Sequence, residues 1–137
     1  MLTNVPLMIV PFIVYNVMIF FGGPVDVDIW HNVVLSLDML SGATWEMTMG
    51  DLMITFGLLL LFFEIMKATR IGPSSIIDHL LSTFVFIAFI VEFLLVEDAA
   101  HAVFFILMVI TFVDVVAGFS VSIRSASRDV SIGGGGY

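Results

Sequence analysis

Cysteine is absent from the 137-residue chain. Its absence excludes disulfide staples, thiolate metal sites, cysteine nucleophiles and thiol redox chemistry together. Basic residues are also scarce: four Lys and Arg stand against twelve Asp and Glu, a net charge of −8. A nucleic-acid partner requires a basic footprint, so none is expected. Charge of either sign makes up 12% of the residues, where soluble chains carry about 25%. The chain also lacks a glycine-rich phosphate loop, a GxSxG nucleophile elbow and an HExxH zinc motif.

What is present is apolar. Hydrophobic residues make up 61% of the chain, with fourteen Phe and nine Met that read as lipid-facing and packing side chains. A crossing of the bilayer core takes roughly 20 mostly apolar residues. Four stretches qualify, at residues 5–21, 51–66, 76–96 and 100–123. The expected fold is an all-α integral membrane protein. Residues 1–124 form a bundle of four transmembrane helices, with an interfacial helix on the outer side between spans one and two. Residues 125–137 read as a flexible cytoplasmic tail.

Local signals support these boundaries. Thr48-Met49-Gly50-Asp51 and Ser75-Ile76-Ile77-Asp78 both have the spacing of a capping box. Pro11 predicts a kink in span one. The N-terminal stretch shows no basic n-region and no small-residue cleavage pattern, so span one is read as retained. Lys67, Arg70, Arg124 and Arg128 all follow spans two and four. The positive-inside rule then places both termini in the cytoplasm of a multi-pass inner-membrane protein.

Residues 22–50 are too apolar for a solvated loop. From Asp28 as N-cap, Ile29, Trp30, Val33, Leu37 and Leu40 follow helical spacing. They predict an interfacial helix that stops at Ser41-Gly42, with Trp30 at headgroup depth. Residues 44–49 alternate polar and apolar and predict a short extended return. The segment reads either as a lid over the bundle or as a docking surface, centred on Trp30 and Trp45, for another membrane subunit. The sequence does not separate the two.

Carboxylates at membrane depth each need an account, because charge there is costly. Glu64 lies three residues before Lys67 and can pair with it; Asp78 reads as a cap; Glu92 can snorkel outward. Asp114 precedes Arg124 by ten residues, which at 1.5 Å per residue puts it about 15 Å down, near the midplane. No Lys or Arg is expected at that depth. The same rise predicts a buried polar knot of Asp114 with Asn16 and Thr55, joined by Tyr15 and Thr111. Interhelical hydrogen bonds of this kind contribute about 0.6–2 kcal/mol each. Alternatively, Glu92, Asp114 and Glu64 at three depths mark a proton path. Gly57 and Gly118-x-x-x-Ser122 offer flat faces for close helix contacts.

The three histidines show no metal-ligand spacing. The topology puts His31 and His101 on the outer side and His79 on the inner side. His101 with Glu97, Asp98 and His31 is the alternative of an outer metal or haem site; otherwise neither metal nor cofactor is expected. These features predict a small, non-catalytic accessory or assembly subunit of a larger inner-membrane complex. Its expected partners are the lipid bilayer and other membrane subunits, or further copies of itself. A proton or ion channel or small transporter using the intramembrane carboxylates is the alternative. A membrane enzyme acting on a lipid or quinone is the third reading.

Overall fold

The computed structural model describes residues 5–22, 28–70 and 73–133. In chain order they form helix α1 (Ile9–Phe21), a 3-10 turn (Ile29–His31), strands β1 (Val33–Asp38) and β2 (Thr44–Thr48), helices α2 (Met49–Ala68) and α3 (Pro73–Leu95), a second 3-10 turn (Glu97–Ala99) and helix α4 (Ala102–Gly133). Among the described residues, three segments are long and apolar enough to cross a membrane: Met49–Ala68, Ile76–Leu95 and Ala102–Arg124. Their outward faces expose large side chains such as Leu58, Phe62, Phe84 and Val109, an exterior suited to lipid.

The first span is shorter than its apolar stretch. Helix α1 has 13 residues, about 20 Å at 1.5 Å per residue, against a core of about 30 Å. Pro11 sets the start. A helix begun at Val5 would need a Pro11 N–H to reach the Leu7 carbonyl, and proline has none. The Leu7 carbonyl instead accepts from Val10 at 3.0 Å, and α1 begins at Ile9. Pro11 therefore lies in the first turn, where its missing N–H costs no helical bond, so the reason for expecting a kink there disappears.

Residues 28–48 depart most from expectation. The interfacial helix is absent, so the fold is not all-α. In its place β1 and β2 pair antiparallel as a two-stranded hairpin, with Leu37 opposite Trp45 and Leu35 opposite Met47. Gly42 makes the reversal at φ 85°, a left-handed conformation that side-chain-bearing residues rarely adopt. Asp28 does cap the turn it precedes, accepting the Trp30 N–H at 3.0 Å. Trp30 is buried rather than at a headgroup surface.

Helix α2 starts as the sequence predicts. Thr48 accepts the Asp51 N–H while the Asp51 carboxylate accepts the Thr48 N–H, a complete capping box. Helix α3 starts differently: it begins at Pro73, ahead of the start expected from Ser75, and the expected Ser75–Asp78 capping box lies outside the described residues. Helix α4 continues past Arg124 to Gly133, so most of the expected tail is helical, and residues 134–137 lie outside the described residues.

Helix α4 is the central element, packing most extensively on α2 and α3, while α1 has little contact with either α2 or α4. Gly57 makes the α2/α4 approach possible: a Cβ there would lie 2.8 Å from Leu107 Cδ2. Between α1 and α3 an apolar groove of about 510 Å³ is lined by Ile9, Phe12, Leu81, Phe84 and Val85.

Candidate functional site

Two polar clusters lie at opposite ends of the bundle, separated by an apolar middle. The first gathers where α2 ends and α3 begins. Lys67 Nζ donates to Glu64 at 3.2 Å, to Asp78 Oδ1 at 3.2 Å and to the Val5 carbonyl at 3.0 Å. Glu64 also accepts the Leu7 N–H at 3.1 Å. One ammonium thus ties the chain before α1, the last turn of α2 and the first turns of α3. The expected Glu64–Lys67 pair is present, and Asp78 joins it through Lys67.

Asp114 faces this cluster from α4. Its carboxyl has Ser82 of α3 as hydrogen-bonding neighbour, with Glu64, Asp78 and Lys67 in electrostatic reach. A cation is therefore near Asp114, contrary to the axial-rise argument. Asp114 Oδ2 is buried and has no hydrogen-bond partner. On the same side, His79 Nε2 is hydrogen-bonded to Ser122 Oγ, and Ser122 reaches the Ala68 carbonyl at 3.3 Å. A Cβ on Gly118 would come within 2.9 Å of His79 Nδ1, so the small residues at 118 and 122 form the seat for this imidazole.

The expected knot around Asp114 is not assembled. Asn16 donates to Glu92 Oε2 at 3.1 Å and to the Phe12 carbonyl. Thr55 is exposed and bonds back to the Asp51 carbonyl, Thr111 bonds back to Leu107, and the Tyr15 hydroxyl donates to the Asp98 carbonyl at 2.9 Å. The physical reason is that axial rise fixes height along one helix. It fixes neither the direction a side chain faces nor the offset between helices. Of the three carboxylates expected to form a path, Asp114 and Glu64 come together and Glu92 does not. Val85 and Phe89, both buried, occupy the face of α3 between Ser82 and Glu92.

Asp114→Asn keeps a polar group against Ser82 and is expected to melt within about 1 kcal/mol of wild type. Asp114→Leu removes that interhelical partner and is expected to cost about 1–2 kcal/mol. Thermal unfolding in detergent reads both. A Leu variant that melts like wild type removes the interhelical role.

The second cluster lies at the other end. Asp28 Oδ2 is 2.6 Å from His31 Nδ1 and 3.1 Å from His101 Nε2. Slight burial would raise the Asp28 carboxyl, but hydrogen bonds from His31, the Trp30 N–H and His101 outweigh it and hold the group below its ordinary value. Next to it, Tyr15 stacks on Trp30 with ring centroids 4.6 Å apart at 10°. His31 and His101 therefore meet, as the topology allows. Glu97 is not part of the group. Sequence reasoning assigned Asp28 only a capping role; the missed signal was an aspartate three residues before a histidine at the same end as His101.

Trp45 lies on the hairpin, exposed, in an apolar face with Leu35, Leu37 and Met47; a register irregularity between Val33 and Leu35 sets Val33 opposite Thr48 instead. The opposite face carries Ser36, Asp38, Thr44 and Glu46, with Thr44 Oγ1 donating to Asp38 at 3.0 Å. Both long edges of this two-stranded sheet are open among the described residues. The chain is thus a helical protein with three membrane-length apolar helices and an amphipathic hairpin at one end. Comparison with protein-family models, curated sequences and solved structures found no match.

Proposed function

We propose that the protein is a small, non-catalytic subunit of the inner membrane that helps to assemble a larger membrane complex. Its termini are on the cytoplasmic side and its hairpin on the outer side. The observation that carries this reading is the unpartnered hairpin. Isolated two-stranded hairpins are marginal in water, and three strands or a packed face give independent stability. Here the apolar face, with Leu35, Leu37 and Trp45, is exposed and, among the described residues, both edges are open. A third strand from a partner meets both needs by pairing at an edge and covering that face. The hairpin end carries Asp28, Asp38, Glu46, Glu97 and Asp98 and no Lys or Arg, so the fitting partner strand has Lys or Arg at its flanks. The basic residues all lie at the other end, which supports the stated orientation.

A proton or ion path is the second reading, favoured by two buried carboxylate oxygens without partners, Glu92 Oε1 and Asp114 Oδ2. The apolar layer of Val85, Phe89, Phe104 and Leu107 between them argues against it.

The test is native electrophoresis after mild-detergent extraction, comparing wild type with Leu35→Ser/Leu37→Ser/Trp45→Ser. Wild type is expected to migrate in a large complex and the triple variant as a lone protein with unchanged helix content. Equal migration of the two removes the hairpin as the docking element. Proton flux through liposomes containing only the wild-type protein establishes the second reading instead.

A further inference from the structure

The structure assigns a divalent transition-metal site to Asp28, His31 and His101, with late first-row ions such as Zn2+, Ni2+ or Cu2+ as its ligand class. One donor atom from each residue lies within 4.8 Å of the others. Two imidazole nitrogens and a carboxylate oxygen are the donors these ions prefer, whereas Ca2+ and Mg2+ take oxygen ligands. Three protein donors on an open surface leave the remaining coordination positions to water.

The donors are held on fixed supports. Asp28 Oδ1 accepts the Trp30 N–H at 3.0 Å, and Trp30 is buried against Tyr15, so the carboxylate is anchored through the turn. His101 stands immediately before α4, and its Nδ1 accepts the Val103 N–H at 3.1 Å, capping the helix. The two imidazole rings stand at 80° with centroids 6.1 Å apart, which lets both present an edge nitrogen to the Asp28 oxygen between them.

This arrangement has a consequence specific to the site. While Nδ1 of His101 accepts from Val103, the neutral ring carries its proton on Nε2, pointing at Asp28. A metal on Nε2 needs the lone pair there, so the ring proton moves to Nδ1 and the Val103 hydrogen bond breaks. Metal binding therefore uncaps the first turn of α4 while joining it to the segment that leads into the hairpin. The cap and the metal compete for one imidazole.

The test uses tag-free, chelator-treated protein in a nonionic detergent, titrated with Zn2+ by calorimetry and with Cu2+ by electron paramagnetic resonance. The expected result is one ion per chain, with nitrogen hyperfine structure from two imidazoles. His31→Ala and His101→Asn should each weaken Zn2+ binding by at least about tenfold. Asn at position 101 preserves a helix cap while deleting the ligand, so this loss is not a folding defect. Glu97→Gln, at a neighbouring acid outside the group, should leave affinity unchanged. The Val103 amide resonance should shift with Zn2+ in wild type and not in His101→Asn. No Zn2+ binding, binding unaffected by His31→Ala or His101→Asn, or equal weakening by Glu97→Gln overturns the assignment.

Discussion

Lys67→Met is expected to destabilise the protein by about 3–5 kcal/mol, the loss found when one partner of a buried ion pair is removed. The side chain is largely covered, and Glu64 and Asp78 beside it are buried. Methionine fills similar volume and leaves two carboxylates facing each other with no counter-charge. It also releases the Val5 carbonyl, so among the described residues the chain leading into α1 keeps Leu7 N–H to Glu64 as a tie to α2 and loses the one to Lys67. Thermal unfolding followed by circular dichroism in detergent reads the loss. Lys67→Met/Glu64→Gln/Asp78→Asn removes the stranded charge and is expected to recover most of it, because a polar neutral set of the same shape has no ion to desolvate. A single variant that unfolds like wild type shows that the cluster does not join the helices.

The second large effect is expected from Tyr15→Ala, at about 3–5 kcal/mol. Tyr15 is fully buried: it stacks on Trp30, meets Phe104 edge-on at 4.7 Å and donates to the Asp98 carbonyl. It is the side chain through which α1, the turn before the hairpin, the turn after α3 and the start of α4 all touch. Truncation leaves a cavity that none of these elements closes alone. Tyr15→Phe keeps the stacking and loses the hydroxyl bond, for an expected cost of about 1 kcal/mol. Trp30 reports the difference. In a Trp45→Phe background its fluorescence should shift to the red in Tyr15→Ala and stay near wild type in Tyr15→Phe. Unchanged emission in the Ala variant shows that Trp30 is held without Tyr15.

Some features were readable because they are local. The three long helices followed from uninterrupted apolar length. The Thr48–Asp51 box and the Glu64–Lys67 pair each span three residues, a spacing a helix start or face makes meet by itself. Gly57 and Gly118-x-x-x-Ser122 marked close contacts because only small residues admit them. The hairpin was not readable in this way. Ile29, Trp30, Val33, Leu37 and Leu40 fit a helical period, yet Leu35-Ser36-Leu37-Asp38 also alternates. Short apolar runs satisfy both periods. Pairing with Trp45 and Met47 across the Gly42 turn decided the matter, and that pairing is a contact between segments.

By itself the sequence determined the apolar helices, the cap of α2 and the concentration of basic residues at one end, since these depend on composition and on spacing within one turn. Tertiary structure alone decided which polar groups meet. Asp114 faces Ser82 and the Lys67 cluster, Asn16 faces Glu92, and Asp28, beside His31, meets His101 across 73 residues of chain. The reason is geometric: a sequence gives each group its height along its own helix, and only packing sets the direction it faces and the offset between neighbouring helices.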